Sequence, residues 1–188
     1  MIKDKSYLRK KFILLRKKNH SKAKKFNFSL IFKLIKKNFL SKKINIACYY
    51  PSNYEVNILK FIQQASKKNF KVSLPVIRSL GKMSFKHWSY KDPLYLSKFG
   101  TLEPLNTNKE IIPDLVIVPL AAYDNQLNRI GYGKGYYDRI LEKINRIKKK
   151  TIFLGIAYSF QKYHKIPINK HDIKLDYIFT EKGIIKQK

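Results

Sequence analysis

The chain has 188 residues, 44% of them hydrophobic and 14% aromatic, which is enough to bury a sizeable core and excludes an intrinsically disordered protein. It carries 41 Lys and Arg against 12 Asp and Glu, a formal net charge of +29 that attracts phosphate in nucleic acid, anionic lipid or a nucleotide. The lysines are scattered rather than concentrated in one stripe, so we favour a low-GC coding bias over a nucleic-acid surface as the source of most of the charge.

Cysteine content and apolar runs bear on the compartment. The only cysteine, Cys48, lies in an apolar run, so we expect a buried strand residue, no intrachain disulfide and a reducing environment. The longest apolar stretch, Leu115 to Ala122, is interrupted by Pro119 and is far shorter than the roughly 20 residues that cross a bilayer. Since no targeting segment is recognised either, we expect a cytoplasmic protein without a membrane partner.

The N-terminal part of the chain shows helical periodicity. A basic helix is predicted over Lys5 to Lys18, and a second over Ser29 to Leu40. Lys5 and Arg9 are four residues apart and therefore share a face of the first helix. The predicted apolar face of that helix comprises Leu8, Phe12 and Leu15.

Strand signals begin in the second quarter. Ile44 to Tyr50 is predicted to be a buried strand that stops at Pro51. The segment Ser52 to Glu55 resembles a capping box that opens a helix through Ala65. A short strand over Phe70 to Leu74 is predicted to end at Pro75, and Met83 to Trp88 alternates like a strand.

The second half alternates strands with a helix. The strongest strand signal is Asp114 to Val118, followed by a polar loop, a helix from about Tyr136 to Lys148, and strands over Thr151 to Ala157 and Asp176 to Thr180. This order predicts one α/β domain over residues 1–188, a layered α/β/α arrangement with a mostly parallel central sheet. Ligands of such sheets bind at the carboxyl ends of the strands, so the loop after Asp114–Val118 is the first candidate site.

That loop concentrates glycine. Three of the seven glycines lie within five residues, Gly131 to Gly135, just before the predicted helix. A glycine-rich turn at a helix N-terminus presents backbone N–H groups to phosphate oxygens. The loop is neither a Walker loop, since Gly135 follows Lys134, nor a dinucleotide loop, since Tyr136 occupies the third glycine position. From the glycines alone, an ordinary tight turn remains the alternative.

The wider stretch Arg129 to Leu141 closely resembles the signature of the 5-formyltetrahydrofolate cyclo-ligase family, roughly Arg-Leu-Gly-x-Gly-x-Gly-Tyr-Tyr-Asp-Arg-x-Leu. The resemblance extends in order from about Lys5 to Glu181. One departure is Leu127, which stands where the family often carries glycine, and another is Tyr50, where several relatives have smaller groups. The other segments that resemble the family are Lys5 to Arg9, Tyr50-Pro51 with Glu55, Leu74-Pro75, Met83 with Phe85, Glu103-Pro104, Asp114 to Pro119, and His171-Asp172 with Asp176 and Thr180-Glu181.

This resemblance implies a layered α/β fold and assigns the binding residues position by position. The implied ATP-binding residues are Lys5, Ser6, Tyr7, Leu8, Arg9, Arg129, Ile130, Gly131, Tyr132, Gly133, Lys134, Gly135, Tyr136 and Tyr137. The implied folate-binding residues are Tyr50, Glu55, Tyr132, Gly133, Lys134, Gly135 and Tyr136. Asp138 and Asp172 correspond to magnesium ligands, and Lys134 and Arg129 are expected to act in catalysis.

From residue chemistry alone, an ordinary structural role remains an alternative at each of these positions. Lys5 and Arg9 can be two more solvated charges, and Glu55 can simply cap its helix. Asp138 can favour the dipole of a helix start, whereas one carboxylate beside phosphates is also a normal magnesium anchor. Asp172 can belong to an ordinary helix start.

The resemblance implies that ATP phosphorylates the formyl oxygen of 5-formyltetrahydrofolate and that N10 then closes the ring to 5,10-methenyltetrahydrofolate. Positioning and electrostatics carry such a reaction, without a side-chain nucleophile. We expect ATP and the folate as partners, Mg²⁺ as cofactor, no specific nucleic acid, and a monomer. The alternatives are a basic nucleic-acid-binding protein without catalytic activity, and a different nucleotide-dependent ligase built on the same loop.

Overall fold

The computed structural model describes residues 4–22, 25–40, 43–78, 81–148 and 150–187. Within these ranges, the short 3₁₀ helices His20–Lys22 and Ser159–Gln161 accompany the regular elements. The helices are α1 (Lys5–Asn19), α2 (Ser29–Asn38), α3 (Leu59–Lys67) and α4 (Tyr136–Ile147). The strands are β1 (Asn45–Ala47), β2 (Lys71–Ile77), β3 (Met83–His87), β4 (Tyr95–Leu96), β5 (Leu102–Glu103), β6 (Leu115–Pro119), β7 (Ala122–Tyr123), β8 (Arg129–Ile130), β9 (Ile152–Ile156), β10 (Tyr177–Thr180) and β11 (Gly183–Lys186).

Seven strands form one sheet in the order β11-β10-β9-β6-β1-β2-β3. The five inner strands run parallel to one another, and the two edge strands, β3 and β11, are antiparallel to their neighbours. β4 with β5, and β7 with β8, form two separate antiparallel pairs. The mostly parallel sheet is confirmed.

The sheet has helices on both faces. On one face, alternate strand residues such as Ile46 and Ile117 pack in one apolar cluster with α2 and α3. On the other face, their neighbours Ala47 and Val118 pack in a second cluster with α4. Because successive side chains of a strand point to opposite faces, inner strands that are apolar throughout serve both layers. This is the predicted α/β/α arrangement.

Helix α1 packs against the end of the sheet that carries the site. Leu8 and Phe12 are buried in a third cluster with Ala122 and Ile130 of the small β7–β8 pair. The predicted face is confirmed for these two residues, but the next buried position is occupied by Arg16, and Leu15 is only partly buried. The helix thereby brings its basic residues close to the glycine loop.

Proline at position 75 does not end its strand, contrary to the prediction. β2 continues to Ile77, and Pro75 pairs with Phe85 of β3. β1 accompanies β2 only as far as Ser73. The carbonyl of Phe85 accepts a hydrogen bond from the N–H of Ile111 rather than from β2. Since no ladder bond is required from the nitrogen of Pro75, the missing N–H is tolerated.

The helix predicted to start at the Ser52–Glu55 box starts later, at Leu59. Asn53 and Tyr54 have φ of 46° and 62°, values that no right-handed helix contains. The N–H of Ser52 does donate to the Glu55 carboxylate, at 2.9 Å, so the two residues close a turn instead of capping a helix.

Several elements have bounds or partners that the sequence analysis missed. The buried strand predicted over Ile44 to Tyr50 is hydrogen-bonded as a strand only over Asn45–Ala47, and α2 ends two residues early, at Asn38. Asp176 to Thr180 was predicted as the last strand, but β11 follows it. Cys48 is fully buried, as expected. Among the described residues, no helix combines the length and apolar character that a membrane crossing requires.

Candidate active site

A cavity of about 810 Å³ lies beyond the carboxyl ends of β1 and β6. It is lined by fifteen of the residues that the family resemblance implies, and both predicted metal ligands are among these fifteen. They are Lys5, Arg9, Tyr50, Glu55, Arg129, Ile130, Gly131, Tyr132, Gly133, Lys134, Gly135, Tyr136, Tyr137, Asp138 and Asp172. The predicted location of the site is therefore matched by a cavity that gathers these residues from four separate segments of the chain.

Three residues of the predicted ATP site, Ser6, Tyr7 and Leu8, are not part of this lining. Leu8 is fully buried in the core. The reason is helical periodicity, because Lys5 and Arg9 share the face that meets the cavity and the residues between them point elsewhere. A contact of these three side chains with a nucleotide stays a prediction that this geometry does not support.

The glycine loop has a conformation that requires glycine at two positions. Gly133 and Gly135 have φ of 97° and 65°, in the left-handed region. Gly135 is the N-cap of α4, so the unpaired N–H groups of the first helical turn face the cavity beside Lys134. An N-terminus with free N–H groups and a positive dipole end is a ready-made phosphate site.

Three arginines donate hydrogen bonds to the loop. Nε of Arg9 donates to the carbonyl of Gly131 at 2.8 Å, and Nη1 of Arg16 donates to the hydroxyl of Tyr132 at 2.7 Å. Nη2 of Arg139 donates to the carbonyl of Lys134 at 3.0 Å. These bonds fix the loop before any ligand binds, which lowers the entropy that phosphate binding must overcome.

The predicted phosphate-binding cations and metal ligands pair with each other. Lys5 forms an ion pair with Asp172, and Nη2 of Arg129 lies 2.5 Å from Oδ1 of Asp138. Arg129 also donates to the carbonyl of Ile173. Burial lowers the pKa of Arg129, and the charge and hydrogen bond of Asp138 oppose that shift. Arg129 therefore acts first as the partner of Asp138, and its predicted catalytic role remains a prediction.

Both carboxylates keep an oxygen for a further ligand. Asp138 accepts hydrogen bonds at Oδ1, and Asp172 accepts at Oδ2. Within the described part of the chain, no hydrogen bond reaches the second oxygen of either carboxylate, and no group of three or more His, Cys, Asp or Glu is clustered as a metal site. Magnesium keeps several waters and takes one or two carboxylates beside phosphates, so this donor set fits an ion held jointly with a nucleotide.

Glu55 adds a carboxylate to the lining of the cavity. It accepts from the N–H and hydroxyl of Ser52 and from the hydroxyl of Tyr132. Burial raises the pKa of Glu55, and the bonds from Tyr132 and Ser52 together with the charge of Arg16 oppose the rise. Tyr49, Pro75 and Met83 provide nearby apolar lining. The arrangement suits a flat ligand with N–H donors.

The β4–β5 hairpin contributes one wall of the cavity. Phe99, in the turn between the strands, makes an edge contact with the ring of Tyr136, with centroids 6.0 Å apart. Nζ of Lys134 lies 4.9 Å from the centroid of the Phe99 ring. Phe99 is 41% exposed, so this aromatic surface is available to a ligand.

Leu127, the departure from the family pattern, keeps the conformation that glycine would favour. Its φ is 65°, and its side chain is buried. The buried carboxylate of Asp124 accepts from the N–H groups of Gln126 and Asn128, both at 2.9 Å. Burial of the Leu127 side chain and this carboxylate stabilise the turn that leads into β8, despite the strain of a non-glycine residue.

Two residues of the site were missed by sequence reasoning. Arg16 gave one signal, because it continues the buried face of Leu8 and Phe12 at a spacing of four, but a cation in so basic a chain does not stand out. Phe99 lies beside the predicted Glu103-Pro104 segment. Its approach to the glycine loop depends on a contact between residues that are distant in the chain.

Comparisons with known proteins identify the family of this chain. The model of the 5-formyltetrahydrofolate cyclo-ligase family matches residues 1–181. A 5-formyltetrahydrofolate cyclo-ligase of Haemophilus influenzae is 32% identical over 137 residues, which cover 70% of this chain and 72% of that protein. The enzyme of the same name from Mycoplasma pneumoniae is 30% identical over 163 residues, covering 78% of this chain and 88% of that protein. An NMR structure of Aquifex aeolicus 5,10-methenyltetrahydrofolate synthetase has a TM-score of 0.75 and 27% identity, covering 98% of this chain and 93% of that one. With the match extending over nearly all of its length, the chain belongs to the 5-formyltetrahydrofolate cyclo-ligase family.

Proposed function

We propose that this protein catalyses the ATP-dependent cyclisation of 5-formyltetrahydrofolate to 5,10-methenyltetrahydrofolate, with release of ADP and phosphate. The observation that carries the proposal is the single cavity in which the glycine loop at the start of α4 and the carboxylate of Glu55 both lie. One is suited to phosphate oxygens, and the other to the N–H groups of a pterin ring.

The nucleotide half of the site is basic and rich in backbone donors. We assign the γ-phosphate to the N–H groups at the Gly135 end of α4, with Lys134 and Arg9 beside it. Charge-assisted bonds of this kind are short and about twice as strong as neutral ones. Fixed donors directed at the transferring group stabilise the charge that develops on it.

In the folate half, a polar anchor stands within an apolar surface. Glu55 accepts two N–H donors of the pterin ring, and Phe99, Met83 and Tyr50 supply walls for its flat faces. The anionic glutamate tail of the folate is attracted by the +29 charge of the protein.

The chemistry follows from the formyl group, whose amide-like oxygen is a poor leaving group. Transfer of the γ-phosphoryl group to that oxygen gives an iminium phosphate at N5 and ADP. The N10 amine attacks the formyl carbon, its proton is released, and phosphate departs as the ring closes. The glycine loop and Glu55 align the two substrates, which is where most of the rate acceleration in such a transfer originates.

Asp138 and Asp172, beside the phosphate-binding loop, are the residues that would hold magnesium. When bound, it would neutralise phosphate charge during the transfer. Arg129 and Lys5 hold the two carboxylates in place. This role of the carboxylates is part of the proposal and is supported by their position in the cavity lining.

The deciding experiment measures the absorbance of 5,10-methenyltetrahydrofolate with the purified protein, ATP, magnesium and 5-formyltetrahydrofolate. We expect multiple turnovers that stop when any one of the three components is omitted. Turnover with another acceptor but none with the folate would favour a different nucleotide-dependent ligase. Absence of any turnover, with salt-sensitive binding to DNA or RNA, would instead support the nucleic-acid-binding alternative.

A further inference from the structure

A buried guanidinium without a carboxylate partner lies behind the glycine loop. Arg16 of α1 is 1% exposed. Nη1 donates to the hydroxyl of Tyr132 at 2.7 Å and approaches the carbonyl of Leu120 at 3.4 Å. Nε and Nη2 have no hydrogen-bond partner, and among the described residues no carboxylate lies within ion-pair distance of Arg16. An arginine stays protonated in proteins, and a buried charge is costly unless something compensates it.

The carboxylate of Glu55 compensates this charge through one intervening hydroxyl group. Tyr132 accepts the bond from Arg16 and donates its own proton to Glu55. The three side chains thus form a relay in which a fixed positive charge, a phenol and a carboxylate are connected in sequence. The other groups that face Glu55 are the hydroxyls of Tyr49 and Tyr137 and the Ser52 turn.

We propose that Arg16 is a positioning residue that acts through the hydroxyl of Tyr132 to orient the Glu55 carboxylate toward the folate. This inference rests on the proposed function. Arg16 does not line the cavity, so it acts without touching either substrate. Its positive charge also favours the ionised form of Glu55, the carboxylate to which the hydroxyl of Tyr132 connects it.

The relay also connects the two halves of the site. Tyr132 lies between Gly131 and Gly133 in the loop that we assign to phosphate, while its hydroxyl reaches the residue that we assign to the pterin. A nucleotide bound to this loop adds contacts that hold Tyr132, and through its hydroxyl also hold Glu55 in its binding orientation. By linkage, ATP should tighten folate binding, and the folate should tighten ATP binding by the same factor.

The experiment measures dissociation constants of 5-formyltetrahydrofolate, with and without a non-hydrolysable ATP analogue and magnesium. The variants are Tyr132→Phe, Arg16→Met, Arg16→Lys and Glu55→Gln. We expect Tyr132→Phe to weaken folate binding about 5- to 10-fold, the loss of one hydrogen bond to a charged acceptor. It should also abolish the tightening by nucleotide, because the hydroxyl that connects the loop to Glu55 is gone.

A double-mutant cycle separates positioning from a general structural role. Combined with Glu55→Gln, the substitution Tyr132→Phe should change folate affinity less than about 2-fold, because the carboxylate it orients is already gone. Equal effects of Tyr132→Phe in both backgrounds would overturn the relay. Tyr177→Phe, which removes a phenolic hydroxyl from β10 outside the cavity lining, is the matched control and should bind folate like the wild type.

The pH dependence of folate affinity provides a second readout. Removing the charge in Arg16→Met should shift the ionisation of Glu55 to higher pH, so that folate binding weakens at a higher pH than in the wild type, whereas Arg16→Lys should keep the wild-type profile. Ligand titration is common to all variants and cancels in the comparison. Identical profiles for the wild type and Arg16→Met would contradict the proposal. If Arg16→Met fails to fold, Tyr132→Phe, which retains the ring, carries the same test.

Wild-type behaviour separates this inference from the proposed function. A wild-type protein that binds no 5-formyltetrahydrofolate would refute the proposed function itself. A wild-type protein that binds the folate, with an unchanged response to nucleotide in Tyr132→Phe, would leave the function standing and refute the relay alone.

Discussion

Nη2 of Arg129 lies 2.5 Å from Oδ1 of Asp138, at the N-terminus of helix α4. The Arg129 side chain is 3% exposed and the Asp138 side chain 28% exposed. The pair ties strand β8 to the first turn of the helix, so the two ends of the glycine loop are held together by one ion pair. Asp138 consequently has a structural duty in addition to the metal-binding role that the family resemblance implies.

Because of this ion pair, we predict a loss of stability when the charge of Asp138 is removed. Asp138→Asn leaves the buried guanidinium of Arg129 without its anion, and we expect the free energy of unfolding to fall by about 3 kcal/mol. Urea denaturation measures it. Asp4→Asn is the matched control, since asparagine replaces aspartate well at the N-cap of α1. Equal stability of Asp138→Asn and the wild type would show that the pair is not needed to compensate the buried charge.

Lys134 tests phosphate binding without the change in stability that is expected for Asp138, because its side chain is exposed. We expect Lys134→Ala to lower kcat about 100-fold through the loss of one charge-assisted donor, while the free energy of unfolding changes by less than about 0.5 kcal/mol. Steady-state kinetics and denaturation measure the two effects. Lys165→Ala, an exposed lysine outside the cavity lining, should leave both unchanged. Near-normal kcat in Lys134→Ala would remove this residue from the reaction.

Gly131 tests whether phosphate approaches the loop backbone. Its φ is not in the left-handed region, and an added Cβ would meet no atom within 4 Å. Gly131→Ala should therefore fold with a stability within about 1 kcal/mol of the wild type, whereas its methyl group would occupy cavity space and weaken ATP binding at least about 10-fold. Isothermal titration with ATP and magnesium measures the affinity.

Gly135→Ala is the contrasting substitution for that prediction. At φ of 65° its Cβ would lie 2.9 Å from Nη1 of Arg139, so we expect lower stability as well as weaker binding. Wild-type ATP affinity in Gly131→Ala would show that the phosphates do not contact this residue.

Residues of this site could be predicted from the sequence where their role depends on neighbours in the chain. The strand Leu115–Pro119 was predictable because all five residues are buried and apolar, and the loop because glycine is scarce elsewhere. Arg16 and Phe99 were not, since their roles arise from contacts with Tyr132 and Tyr136, which lie far away in the chain. A single sequence carries no signal for such pairs.

Local rules also failed where tertiary context outweighed them. The sequence predicts that Pro75 ends its strand, yet β1 is shorter than β2 and leaves the nitrogen of Pro75 without a required partner. The helix expected after Ser52 was displaced because Asn53 and Tyr54 adopt positive φ, which direct Glu55 toward Tyr132. β11 is a mostly half-buried edge strand, and it lacks the clear alternation that would have identified it.

Phe99 is predicted to act on folate affinity rather than on folding. Because the ring is partly exposed and lines the cavity, Phe99→Ala should raise the KM for 5-formyltetrahydrofolate about 5-fold, on the order of 1 kcal/mol for an aromatic contact. The KM for ATP should change less. Leu96→Ala removes an exposed side chain of the same hairpin outside the cavity lining and is expected to change neither constant. Equal shifts in both variants would mean that the hairpin as a whole, not the ring, supports binding.

Glu55 is predicted to make stability depend on pH in a defined direction. Burial raises its pKa in the folded protein above the ordinary value, so the folded state binds the proton more tightly than the unfolded state. The free energy of unfolding should therefore fall as pH rises from the unfolded pKa through the folded one, and should stay lower above it. Glu55→Gln removes this titration, so the difference in stability between wild type and variant isolates the contribution of Glu55. Urea denaturation from about pH 4 to pH 8 covers the window above the ordinary carboxyl pKa. A wild-type protein that gains stability relative to Glu55→Gln as pH rises would mean that Arg16, Tyr132 and Ser52 together outweigh burial at this carboxylate.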